Sequence, residues 1–367
     1  MDRKRRMAIV GIAVFALLLA GVVGVVISTR HRVAAPTAGP TPPTAASASP
    51  TTASPSPPRH RPTKDIAPLS GMPVTKGMDL DHPAVAIKIS DVRQAHPQIG
   101  VDKADIVFTE PIGVAYTRLL AVFHSQLPAE VGPVRSVRPP DVPLLSPIVP
   151  VFGNTMGARW VVKYVDSVGH LDDLGTLRVP DSGAYAPKYG RPQPDNIFVK
   201  PKTLMRLSKL RKPPTGYFSY ADGLSSASAA QAKGKGSTVV VPYGAGYDMS
   251  WTYDAARKRY LRSEPWGPHR MADGTRISAA NVLVLKVSSS VGKIGNASGA
   301  PVPILDLTNG SGRFVALAGG RSVKGTWTKG GVADKFVLRT DDGRPLLLAP
   351  GNTWVELPAA DASVKIR

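Results

Sequence analysis

An unbroken apolar run from Met7 to Ile27 constrains this chain more than any other feature. At a helical rise of about 1.5 Å per residue the run is roughly 30 Å long, the thickness of a bilayer's hydrocarbon core. No charge interrupts it. Asp2-Arg3-Lys4-Arg5-Arg6 precedes it and Arg30-His31-Arg32 follows. A secretory signal has a shorter apolar core and small residues at its cleavage site, and Ser28-Thr29-Arg30-His31 makes a poor one. The run predicts a single transmembrane signal anchor over 7–28, behind a cytoplasmic basic tail over 1–6 whose charge sets the orientation. The bulk of the chain is then expected outside the cell membrane.

Residues 33–64 are nearly all Pro, Ala, Ser and Thr, with nine prolines among them. Such a segment cannot bury enough surface to offset the entropy of ordering, so it predicts a disordered spacer with polyproline II character. The chain has no cysteine. That excludes a disulfide framework, lipid attachment at a cysteine, and thiol catalysis. Beyond residue 64 the chain carries 37 Lys and Arg against 25 Asp and Glu, a net charge of +12. Outside a membrane this favours an anionic wall polymer, a glycan precursor or lipid head groups as partner, and not nucleic acid.

Two folded stretches are expected. The first, 66–210, mixes apolar strand candidates at Pro83–Ile89, Asp105–Glu110 and Thr117–His124 with a helix at Lys202–Leu210, ended by Pro213-Pro214. Trp160–Val165 fits strand or buried helix equally. The second, 237–361, is mostly antiparallel β, with hairpin turns at Gly319-Gly320 and Asp342-Gly343. Residues 211–236, rich in Ser, Ala, Gly and Lys, predict a linker, and the two stretches are expected to unfold as two units. The fold class is α+β: a mixed α/β domain, then a β domain, after the membrane helix.

Several stretches are recognisable. Pro83-Ala-Val-Ala-Ile-Lys-Ile-Ser90, Ala104-Asp-Ile-Val107, Thr117-Arg-Leu-Leu-Ala-Val-Phe-His-Ser125 and Gly132-Pro-Val-Arg-Ser-Val-Arg138 resemble the first domain of the YerB-like lipoproteins. Trp251-Thr-Tyr-Asp254, Tyr260-Leu-Arg262, Asn281-Val-Leu-Val284, Gly325-Thr-Trp327 and Pro350–Val355 resemble the second. The resemblance implies an exported, bacterial, two-domain protein without an assigned catalytic residue. The family commonly has a lipobox cysteine, which this chain replaces with the anchor. Where the family favours Glu-Gly-Gly and Pro-His-Asn, this chain has Gly113-Val114-Ala115 and Pro194-Asp195-Asn196. A glutamate and a histidine that could carry chemistry are therefore missing.

Arg118, Arg135, Arg138, Arg178 and Arg191 fall in or near these motifs. A guanidinium binds phosphate or carboxylate through two parallel hydrogen bonds, so the five are candidates for an anion pocket. Asp105, Glu110, Asp141 and Asn196 are its candidate polar supports. The competing reading is structural, with Arg118 paired to Asp105 or Glu110 and Arg135 to Asp141. Weaker patterns are set aside. Gly169-His170-Leu-Asp172-Asp173 lacks zinc spacing. His124 and Ser125 are strand neighbours and point apart. Trp251, Trp327 and Trp354 read as core. No metal, cofactor or catalytic residue is expected. The expected role is an envelope binding or adaptor protein linked to wall assembly, contacting wall material or a wall-synthesis protein. The alternative is an enzyme acting on phosphate-linked envelope glycans through the arginine site.

Overall fold

The computed structural model describes residues 66–113, 116–294 and 301–367. The basic tail, the Met7–Ile27 run and the 33–64 segment lie outside the described residues. Within the described residues no helix is long and apolar enough to cross a membrane.

The chain is mostly β with a few short helices. Strands β1 (Val85–Ser90), β2 (Ile106–Pro111) and β3 (Thr117–Phe123) are buried on both faces, as strands in the middle of a covered sheet are. β3 lies between the other two and is antiparallel to both, so Arg118 stands beside Ser90 on one side and Glu110 on the other. Helix α1 (Asp141–Leu145) leads into β4 (Val151–Gly153), which pairs in parallel with β1. Helix α2 (Arg159–Val168) settles the ambiguity at Trp160–Val165, buries Val161 and Val165, and stops at Gly169, whose φ of 68° no β-branched residue would adopt cheaply. β5 (Asp172–Asp173) continues the sheet in parallel with β4.

Helix α3 (Pro201–Leu207) begins on a proline at its first position and ends before the expected Pro213-Pro214. The early stop has a local cause. Ser208 is already extended, and its hydroxyl and the Lys209 N–H both bond the Asp172 carboxylate, at 2.6 and 3.0 Å.

Past β2 the same sheet continues with strands from the far end of the chain. Thr353–Glu356 pairs in parallel with β2 and, on its other side, with Asn281–Leu285. Gly310–Ala318, Arg321–Lys329 and Val337–Thr340 follow, all antiparallel. The expected hairpin at Gly319-Gly320 is present, with φ of 60° and 74° matching a turn that needs two left-handed residues. A second antiparallel sheet holds Thr238–Pro242, Asp248–Asp254, Arg259–Glu264 and Lys365–Ile366.

Both large hydrophobic clusters draw on both halves of the chain. One joins Phe108, Leu120 and Phe152 to Phe314, Trp327 and Val355. The other joins Ile87, Leu119 and Phe123 to Trp251, Tyr260 and Trp354. The two expected stretches therefore share both cores, and one cooperative unfolding transition is the expected outcome. The 211–236 segment, expected as a linker, contributes Tyr217, Ala227 and Ala229 as buried residues. Trp251, Trp327 and Trp354 are core, as expected.

A buried ion cluster ties the two sheets together. The Arg262 guanidinium donates to Asp91 Oδ2 at 2.9 Å and Oδ1 at 3.2 Å, and to Glu264 Oε1 at 3.1 Å. It lies over the Trp354 ring, 4.9 Å from the centroid. Glu356 accepts from Trp251 Nε1 at 2.9 Å and Tyr243 Oη at 2.7 Å. Arg262 and its carboxylates are closed to water. Removing one member of such a cluster leaves a buried charge uncompensated, at a cost of about 3–5 kcal/mol. Arg262→Met is therefore expected to lower stability by about that amount. Urea unfolding followed by tryptophan fluorescence and by circular dichroism should give coincident single transitions in both proteins. Two separated transitions in the parent would contradict the shared core.

Candidate functional site

Arg118 is presented by β3, a strand paired on both sides with β1 and β2. Its side chain is almost wholly buried, and Nη1 donates to the Ser136 carbonyl at 2.9 Å. Ser136 belongs to the 132–138 loop, which is tied down on three sides. Ser90 N–H donates to Pro133 O at 3.0 Å, and Arg135 N–H to Lys88 O at 2.9 Å, along the edge of β1. Val134 N–H reaches Ile197 O at 2.7 Å. Val137 N–H reaches Met156 O at 2.9 Å, and Thr155 N–H returns to Arg135 O at 3.0 Å. Gly132 is needed for this closeness, since a Cβ there would come within 2.6 Å of the Phe198 ring.

Beneath the loop sits a residue that sequence reasoning missed. Lys88, fully buried in the middle of β1, donates through Nζ to Glu110 Oε2 at 2.7 Å and Asp141 Oδ1 at 2.6 Å. Asp141 also accepts the Arg138 N–H at 2.6 Å. Burial, with the neighbouring Asp141 adding to it, pushes the Glu110 carboxyl up to about 8. Glu110 thus holds its proton near neutral pH, and the remaining charges of Lys88 and Asp141 cancel.

The consequence for the arginines is direct. The two carboxylates expected to neutralise them are committed to Lys88. Among the described residues neither Arg118 nor Arg138 has a carboxylate within ion-pair distance, and Arg135 reaches only Asp195, at 3.7 Å without a hydrogen bond. Arg138 Nη1 donates to its neighbour's carbonyl, Val137 O, at 3.0 Å, while its buried Nε has no partner. Burial, then the charges of Arg138 and Arg135, push Arg118 well below the ordinary arginine value. A guanidinium does not give up its proton in a protein, so the direction measures electrostatic cost, not deprotonation. An anion among the three groups relieves that cost. The start of α2 adds to the positive field. Its turn is bonded to the arginine loop, its N-cap residue Ala158 offers no side-chain cap, and its first turn carries no acid.

Three of the five candidate arginines, Arg118, Arg135 and Arg138, therefore act on one another electrostatically. Arg178 is elsewhere, bound to Asp166 at 2.5 Å and Asp173 at 3.0 Å. Arg191 is also elsewhere, donating to Ala95 O and Pro97 O beside the Phe198 ring. Asp105 is buried at the end of β3, where it accepts from the His124 and Ser125 N–H groups and the Ser125 hydroxyl. Asn196 contributes its backbone carbonyl to Lys188 N–H. The competing pairs, Arg118 with Asp105 or Glu110 and Arg135 with Asp141, do not form. Only the pattern of a lysine inside the apolar run Val85–Ser90 could have signalled Lys88, and it does not by itself reveal burial.

A second cluster, spread through the sequence, has metal-ligand residue types. His96, Glu264 and His269 bring ligand atoms within 4.8 Å of one another. Arg262 Nη1 already stands 2.8 Å from His269 Nδ1 and 3.1 Å from Glu264 Oε1. The guanidinium fills the place of a cation and repels another.

The Glu110 proton has a measurable effect. Its carboxyl binds a proton in the folded protein up to about pH 8, but only up to its ordinary 4.5 in the unfolded chain. The folded state thus holds more protons between these values, and this contribution to stability is lost as pH rises from 4.5 to 8. Glu110→Gln should be less destabilised by the same rise, by an amount on the order of a few kcal/mol. Urea titrations of parent and variant at both ends of the window check this, and parallel curves would contradict it.

Comparison with known proteins agrees with the architecture. Residues 69–213 match the N-terminal domain, and residues 239–355 the C-terminal domain, of a protein family of unknown function, DUF3048. "Putative lipoprotein YerB" of Bacillus subtilis is 25% identical over 306 residues, covering 81% of this chain and 87% of that protein. The crystal structure of the Bacillus subtilis YerB protein superimposes with a TM-score of 0.69 at 23% identity, over 82% of this chain and 99% of that one. With both domains matched in order and the fold shared over nearly all of the solved relative, this chain belongs to the DUF3048 family.

Proposed function

We propose that this protein is a membrane-anchored, extracytoplasmic binding protein of the bacterial cell envelope that captures a phosphate, pyrophosphate or carboxylate group on Arg118, Arg135 and Arg138. One observation carries the reading: three guanidinium groups share one small region while Lys88 holds the carboxylates that would neutralise them. A structural network would be fully paired, and this one is not. The Met7–Ile27 run and the similarity to a protein named as a lipoprotein support placement at the membrane's outer face. A basic ectodomain there meets anionic wall polymer or glycan precursor first. A link to wall assembly, through such material or a wall-synthesis protein, follows from that chemistry.

The alternative, an enzyme acting on phosphate-linked glycans, has less support. The candidate polar supports Asp105, Glu110 and Asp141 are all buried, Glu110 and Asp141 against Lys88 and Asp105 against His124 and Ser125. No nucleophile with an adjacent base stands beside the arginines among the described residues.

Pyrophosphate binding by the full chain in detergent tests the proposal. Arg135→Ala and Arg138→Ala should each weaken binding by about 1.5–3 kcal/mol, the scale of a hydrogen bond to a charged group. The melting temperature of Arg138→Ala should change little, because no carboxylate is stranded, whereas Arg135→Ala also removes the 3.7 Å contact to buried Asp195 and should melt somewhat lower. Affinity in the parent should fall as salt is added. A large drop in melting temperature with no loss of pyrophosphate affinity would show the arginines to be structural.

A further inference from the structure

Lys88, Glu110 and Asp141 form a closed triad with more chemistry than an ion pair needs. Lys88 follows Ala84 and Ala86 on one face of β1, and Glu110 follows Ile106 and Phe108 on the matching face of β2. Helix α1 opens with Asp141 and presses Val142, Leu144 and Leu145 into the same apolar cluster. All three polar side chains are shut off from water, so no outside substrate reaches the Lys88 amine. Its Nζ stands 2.6 Å from Asp141 Oδ1 and 2.7 Å from Glu110 Oε2.

Taking an ammonium and a carboxylate out of water is expensive, and a neutral amide carries no such cost. The second acid, Glu110, keeps its proton near neutral pH and hydrogen-bonds to the Asp141 carboxyl. The two acids are not equivalent. Asp141 Oδ2 accepts the Arg138 N–H at 2.6 Å, whereas Glu110 Oε1 is buried and meets no donor. A backbone N–H on a carboxyl oxygen suits an acyl carbon under attack, because the developing charge falls on that oxygen. A neutral carboxylic acid alongside suits proton transfer.

We infer that Lys88 and Asp141 join through an amide bond between their side chains, with Glu110 as the proton carrier. The ammonium passes a proton to Asp141 Oδ1, which leaves an amine with a free lone pair. The nitrogen attacks Asp141 Cγ, and the carbonyl electron pair moves onto Oδ2, where the Arg138 N–H holds it. Glu110 protonates Oδ1, the Cγ–Oδ1 bond breaks, and one water leaves as the carbonyl reforms. The Glu110 carboxylate then takes the surplus proton from nitrogen and is an acid again. The balance needs no other reactant. The bond ties β1 to the start of α1, 53 residues further on. In a chain without cysteine it supplies the covalent cross-link that a disulfide cannot. It leaves the arginine reading untouched, since the charges of Lys88 and Asp141 cancel before the step and are gone after it.

Mass spectrometry of the denatured full chain tests the bond. The intact mass should fall short of the sequence mass by one water. Trypsin should release a branched peptide that joins 77–93, uncut at Lys88, to 136–159. Glu110→Gln keeps the shape of the protonated acid but cannot relay a proton. It should match the parent in circular dichroism, keep its full mass and be cut at Lys88. A parent chain of full mass that is cut at Lys88 would overturn the bond. So would a water lost within a linear peptide, such as the one that holds Asp342-Gly343. A branch from 77–93 to 104–118 would overturn the choice of Asp141 over Glu110. A branched peptide from Glu110→Gln would overturn the role given to Glu110.

Discussion

The Arg262 guanidinium has no access to water, and the fold closes around its charge. Asp91 comes from just past β1, Glu264 from the end of its own strand, and Glu356 from the strand that enters the sheet beside β2. Burial alone would raise the Asp91 carboxyl, but Arg262 and His96 hold it far below its ordinary value. Glu264 goes the other way: burial and the neighbouring Asp91 push it up to about 9, so one proton is retained in the cluster. Replacing such a whole cluster with apolar side chains can be neutral or stabilising, whereas removing one member strands the charges that remain. Its partners come from strands of both sheets.

The same electrostatics gives the opposite outcome a short distance along β1 and β3. At Arg262 the carboxylates converge on the guanidinium. At Arg118 they are drawn away by Lys88, and the loop that carries Arg135 and Arg138 adds positive charge instead of removing it. The fold bears that cost because β3 is anchored on both sides and the loop is stitched to β1, Ile197 and the turn before α2. Rigid elements that hold like charges together are what preorganised recognition of an anion requires.

Local rules were legible in the sequence, and long-range ones were not. The Gly319-Gly320 turn follows from a need for positive φ, which is a property of two residues. The apolar runs of β1, β2 and β3 announced buried strands. The neighbour of β2 was hidden, because Trp354 and its partner Thr109 are 245 residues apart and no local pattern connects them. Trp160–Val165 could not be assigned by spacing, since its burial is decided by what packs on it. For the site, the motif arginines 118, 135 and 138 were found by resemblance, and the charges of Arg135 and Arg138 reach Arg118. Arg178 and Arg191 lie farther along the chain and are held by Asp166, Asp173 and backbone carbonyls. Lys88 was missed because a lysine in an apolar strand shows its burial only once Glu110 and Asp141 are in place.

The central claim is that the three arginines form a site for an anion and not a finished scaffold. Crystals of the protein soaked in tungstate, with diffraction recorded at the tungsten absorption edge, test it most directly. The account predicts an anomalous peak within hydrogen-bond reach of Arg118, Arg135 and Arg138, displaced by added pyrophosphate. No peak there, with tungstate bound only at surface lysines, would contradict it.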